Sequence, residues 1–140
     1  MPILTNTLIT AGMLGVWYAF LALTVIRARF KHRVSLGDGD VPELRARIRA
    51  HANFAEYVPI ILILMGLVEL AGGNRTVLLG SGVALVVSRV SQALGIWQPK
   101  APNALRFSGT CITLFLLVYY SVWAIVIGYH FLAARPLFGW

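Results

Sequence analysis

The sequence predicts an all-α integral membrane protein, a bundle of four transmembrane helices forming one domain over residues 1–140. Three observations predict it. Of the 140 residues, 59% are hydrophobic and 12% charged, about half the charged share of an ordinary soluble domain. The mean hydropathy is +0.78. The apolar residues gather into four runs of about 20 residues or more, enough for a helix to cross a ~30 Å hydrocarbon core. These runs are too long for strands and lack the period-two alternation of an outer-membrane barrel.

The first run extends from about Ile3 to Ile26. It has no basic region before it and exceeds the apolar core of a signal peptide, so it reads as a retained first helix. The second run, Ala50 to Ala71, is closed by Gly72-Gly73-Asn74. Pro42 and Glu43 sit where a helix start favours proline and an acid, so this helix begins before the membrane. The third run spans Thr76 to Trp97, and the fourth Phe107 to Ala133. The expected helices are approximately 3–26, 44–71, 76–97 and 106–133. Between the first two, Gly37-Asp38-Gly39-Asp40 is a turn signal. It lacks the further oxygen ligands of a calcium loop.

The net charge is +7, but the basic residues lie beside apolar spans. The first loop holds Arg27, Arg29, Lys31, Arg33, Arg45, Arg47 and Arg49, and the third holds Lys100 and Arg106; the opposite side offers Arg75 and Arg135. The positive-inside rule accounts for this pattern without nucleic acid. It puts loops one and three in the cytoplasm and both termini on the far side. Most of the first-loop charges serve topology and lipid phosphate. The single cysteine, Cys111, lies in an apolar run and reads as a small buried residue. His32, His51 and His130 have no ligand spacing, so no metal is expected; His51 is expected to face headgroups.

Arg49, Asn53 and Glu56 follow i, i+4, i+7 and share a helix face at the mouth of an apolar span. Polar groups on a membrane helix mark a partner or a wet cavity. Glu56 and Arg89 lie at matching depths on helices two and three, and are expected to pair within one subunit. Glu69, near the other interface, is expected to be structural and to reach headgroups. Arg27, Arg49, Asn53 and Arg106 collect at the cytoplasmic mouth. Such a cluster suits a small carboxylate-bearing anion held by guanidinium forks, with apolar helix surface for a lipophilic second substrate. Only one end of the bundle is polar, which disfavours a transporter or channel.

Arg49-Ala-His-Ala-Asn53-Phe-Ala-Glu56-Tyr57-Val-Pro59 resembles the second-helix signature of the MAPEG proteins, the membrane-associated proteins in eicosanoid and glutathione metabolism. Arg89-Val-Ser-Gln92-Ala-Leu-Gly95 and Asn103-Ala-Leu-Arg106-Phe-Ser-Gly109 resemble its second half. The resemblance implies a homotrimer with glutathione, and no metal, bound between subunits near the cytoplasmic face. It implies a glutathione transferase, with or without peroxidase activity, acting in detoxification on lipophilic small molecules in contact with membrane lipid. By position, Arg106 resembles the arginine that stabilises the glutathione thiolate. Arg27, Arg49, Asn53, Glu56 and Tyr57 resemble glutathione-binding residues, and Arg89 is grouped with them. Gln92 stands where many relatives have histidine and Ala52 where some have arginine; no tyrosine lies between Gln92 and Arg106. These departures keep a second reading open, a non-catalytic protein of the same type that binds lipid or stabilises a complex.

Overall fold

The computed structural model describes residues 4–98 and 103–134. Ile3, Lys100, Arg135 and Trp140 lie outside them. Four helices run up, down, up and down: α1 Thr5–His32, α2 Pro42–Leu70, α3 Arg75–Trp97 and α4 Ala104–Ala134. All four are long and apolar enough to cross a membrane. The shortest, α3, has 23 residues, about 34 Å of helix at 1.5 Å per residue. Helices α2 and α3 contact each other and form the centre; α1 packs on one side of them and α4 on the other, and among the described residues α1 and α4 do not meet.

The core runs along the inner faces. Leu14 and Leu21 of α1, Phe54, Ile61 and Met65 of α2, Leu78 and Leu85 of α3, and Leu116 and Tyr120 of α4 are all buried. The outward faces remain apolar too, as Val16, Ile63, Val87 and Ile125 illustrate. Apolar residues both inside and out are the pattern of a helix between a protein core and lipid.

Two helix ends depart from the sequence reading. Helix α1 continues past Ile26 to His32, and Arg33 ends it in the left-handed conformation with φ 55°. The basic residues there are good helix formers and do not break it. Glu69 is structural, as expected, but its partners are the first residues of α1 in the same chain. Its Oε1 accepts from Asn6 N at 2.9 Å and Asn6 Nδ2 at 2.8 Å, and its Oε2 from Thr7 N at 2.8 Å and Thr7 Oγ1 at 2.7 Å. The first N–H groups of a helix have no partner within it and carry partial positive charge. A carboxylate from α2 therefore caps α1. Asn74 caps α3 in the ordinary way, accepting from Thr76 N and Val77 N at 3.0 and 3.2 Å.

The first loop folds around ion pairs at the end shared by the α1 C-terminus and α2 N-terminus. Glu43 meets Lys31 at 2.6 Å and His32 at 3.0 Å. Arg45 bonds Asp38 and Asp40. Gly37, Gly39 and Asp40 adopt the positive φ angles of the turn. The Arg45 guanidinium beside Asp38 holds its carboxyl below the ordinary range.

Candidate functional site

A close crossing of α3 and α4 builds the loop-bearing end. A Cβ on Gly109 would stand 2.6 Å from Ser88 O and 2.8 Å from Gln92 Cβ, and one on Gly95 would collide with Arg106 N and stand 2.7 Å from Asn103 Oδ1. Both glycines are required by this approach, which gives the second motif its spacing. Asn103 links the two helix ends: Nδ2 donates to Gly95 O at 2.7 Å, and Oδ1 accepts from Arg106 N at 2.9 Å. Arg106 is thereby held against the C-terminal end of α3.

The result is a cleft of about 390 Å³ between α2, α3 and α4, lined among others by Arg49, Asn53, Gln92, Ile96, Arg106 and Thr110. Its volume falls within the ~300–1,000 Å³ of small-molecule sites. Arg45 also lines it, but is engaged by Asp38 and Asp40. Among the described residues, Arg49 and Arg106 take part in no ion pair. The cleft thus presents two uncommitted guanidiniums, and among the described residues no carboxylate lines it.

Arg89 lies behind this wall and is 2% exposed. Its Nη1 donates to Asn53 Oδ1 at 3.1 Å; its Nη2 donates to Gly109 O at 3.3 Å and to Thr113 Oγ1. It joins three helices and orients the Asn53 amide. It does not pair with Glu56. That expectation is corrected: Glu56 is exposed, and Arg89's acceptors are all neutral. Rotation explains the difference. At about 100° per residue, Asn53 lies ~40° round the helix from Arg49, and Glu56 ~20° in the opposite sense. Matching depth was not enough, because Asn53 turns toward α3 and Glu56 turns away.

Gln92 was noted from sequence only as a departure, yet it is a cleft residue. Its Nε2 donates to Thr110 Oγ1 at 2.9 Å, and Thr110 Oγ1 donates to Arg106 O at 2.9 Å. This chain orients the Gln92 amide. Its donor side is engaged, so its oxygen is the group left to accept from a ligand.

Residues 7–126 match the protein-family model described as the MAPEG family. The chain belongs to the MAPEG family. It is similar to "Inner membrane protein YecN" of Escherichia coli strain K12, 31% identical over 105 residues, covering 71% of this chain and 76% of that protein. The protein of the same name from Escherichia coli O6:H1 strain CFT073 matches with the same figures. Family membership, four apolar helices and this relative make the chain an integral membrane protein.

The structure of this MAPEG chain brings only part of the expected site together. Arg49, Asn53 and Arg106 share the cleft. Arg27 lines a different one, with Phe20, Thr24, Lys31, Glu43 and Arg47 between α1 and α2. Tyr57 is partly buried and packs on the core. His51 stacks on Tyr18, ring centroids 4.5 Å apart, instead of facing headgroups; a flat ring beside an aromatic of α1 gains more by stacking. Arg47 sits 4.0 Å over the Trp97 ring, a cation–π contact that charge counting does not reveal. Cys111, expected to be buried, is exposed on α4.

Proposed function

We propose that this MAPEG protein is a membrane-bound glutathione transferase that joins the glutathione thiolate to lipophilic electrophiles. The observation that carries the reading is the cleft with the uncommitted guanidiniums of Arg49 and Arg106 beside the amides of Asn53 and Gln92. Glutathione offers two carboxylates, two peptide N–H groups and a thiol. Guanidinium forks suit the carboxylates, and the Gln92 oxygen suits an N–H. Arg106 is the activating residue. A free thiol has a pKa near ~8.5, and a guanidinium beside it favours the thiolate. The proton leaves to solvent; the sulfur then attacks the electrophilic carbon, the new S–C bond forms, and the leaving group departs with its electron pair.

The assembly proposed is a homotrimer, with loops one and three cytoplasmic and both termini on the other side. Two features favour a neighbouring subunit: Arg27 lies apart from the cleft, and Glu56 is exposed on a membrane helix. The second reading is a non-catalytic lipid-binding or complex-stabilising protein. Gln92, and the lack of a tyrosine between it and Arg106, favour that reading.

Detergent-purified protein tests the two. Glutathione binding, the ultraviolet absorbance of bound thiolate and conjugation to 1-chloro-2,4-dinitrobenzene are measured on one sample. Arg106→Leu should lower turnover strongly and move activity to higher pH, with a modest change in affinity; Arg49→Ala should mainly weaken binding. An unchanged thiolate signal in Arg106→Leu refutes its role. Wild-type protein with neither thiolate signal nor conjugation establishes the second reading.

A further inference from the structure

The end of α1 and its cap carry a basic residue at every second position: Arg27, Arg29, Lys31 and Arg33. Two residues span about 200° of helix, so Arg27 and Lys31 share one face of α1 and Arg29 lies on the other, where the left-handed cap residue Arg33 joins it in one slot. Arg27 and Lys31 share the cleft that contains Glu43, and Lys31 is neutralised by it. Arg29 and Arg33 line a separate apolar slot of about 420 Å³ with Ile26, Phe30, Val34 and Ser35. Among the described residues, no carboxylate lines this slot. Arg29 is braced there, its Nη1 donating to Ser35 O at 3.0 Å and Val34 O at 3.4 Å; among the described residues its Nη2 and Nε have no acceptor and are available to a ligand. Phe30 is 81% exposed and Ile26 48%.

We propose that this slot holds an anionic glycerophospholipid of the surrounding bilayer. Its phosphate lies between the Arg29 and Arg33 guanidiniums, and its acyl chain runs over Phe30 and Ile26. Charge complementarity selects the headgroup: two guanidinium forks without a protein counter-ion suit phosphate oxygens. The apolar part selects a lipid over a soluble anion. Leu23, Ile26 and Phe30 follow i, i+3, i+7 and form one exposed stripe leading from the slot down the membrane-spanning part of α1. An acyl chain covers that stripe, whereas free phosphate leaves it bare. The site is independent of the Arg49–Arg106 cleft.

The test is native mass spectrometry of the full chain in mild detergent, titrated with dioleoylphosphatidylglycerol or dioleoylphosphatidylcholine. The phosphatidylglycerol adduct should survive preferentially. Each arginine near an anionic lipid contributes about fivefold, so Arg29→Gln/Arg33→Gln should weaken that adduct roughly 25-fold. Arg29→Lys/Arg33→Lys should fall between, since charge remains and the fork is lost; this pair also serves if the glutamine variant misfolds. Arg75→Gln, at the opposite end, should change nothing. Equal retention of the two lipids, an unaffected arginine double variant, or equal loss in Arg75→Gln overturns the proposal. Displacement by millimolar inorganic phosphate would also overturn it, in favour of a soluble anion.

Discussion

Replacing Glu69 with glutamine should destabilise the protein while leaving its chemistry intact. Each carboxylate oxygen serves one backbone N–H and one side-chain donor of α1. Whichever oxygen becomes an amide NH2, one backbone N–H of α1 loses its acceptor and meets a donor, while the side-chain partner, the Thr7 hydroxyl or the Asn6 amide, can turn an oxygen to accept. The lost backbone bond and its facing donors cost about 2 kcal/mol together. Removing a negative charge from a helix N-terminus adds about 0.5–1 kcal/mol. The sum is near ~3 kcal/mol, or roughly 6–12 °C in Tm for a chain of this size. Tryptophan fluorescence during thermal unfolding in detergent measures it. Ligand binding per folded molecule should be unchanged, because Glu69 lies at the opposite end from the Arg49–Arg106 cleft. Thr7→Val in the Glu69→Gln background should cost less than in the wild type, since one shared bond is already weakened. A Tm within about 1 °C of wild type refutes the capping argument.

Three further predictions concern the other end. Arg89→Gln should couple with Asn53→Ala in a double-mutant cycle of thermal stability by about 1 kcal/mol, and show no coupling with Glu56→Gln within one subunit; coupling to Glu56 instead would mean that the observed partners are wrong. Gln92→Leu should raise the glutathione KM about three- to tenfold, the value of one hydrogen bond, with kcat nearly unchanged; a fall in kcat alone would refute a binding role. The folded-state pKa of Asp38 lies below its unfolded value. Its contribution is therefore present above the unfolded pKa of ~3.9 and lost as pH falls through the folded value. Limited pepsin digestion of loop one should accelerate below about pH 4, and Arg45→Gln should remove most of that pH dependence.

Much of the fold was legible because membrane helices must be long, apolar and internally hydrogen-bonded. Charge asymmetry placed Arg49 and Arg106 at one end, and topology alone then brought them near each other. What the sequence concealed was rotation about the helix axes. Glu56 and Arg89 match in depth, yet the Arg89 guanidinium reaches Asn53, Gly109 and Thr113. The partners of Glu69 were concealed for another reason: two of its four donors are backbone N–H groups of α1, and no side-chain pairing rule points to those. Gln92 could have been found from its position one turn after Ser88 and three residues after Arg89, on the face toward α4. The two glycines of the second motif marked that close approach, whose consequence was visible only once α4 had been placed.

Arg89 has a consequence for turnover. Its acceptors among the described residues are all neutral, so it adds a standing positive potential beneath the cleft to that of Arg49 and Arg106. In the chemistry proposed above, a thioether product keeps both glutathione carboxylates and loses only the thiolate charge. The standing field therefore holds product nearly as well as substrate, and only the contact with Arg106 distinguishes them. Departure of the conjugate, not formation of the S–C bond, becomes the slow step for reactive electrophiles. For these, added salt should raise the maximal rate by screening the field.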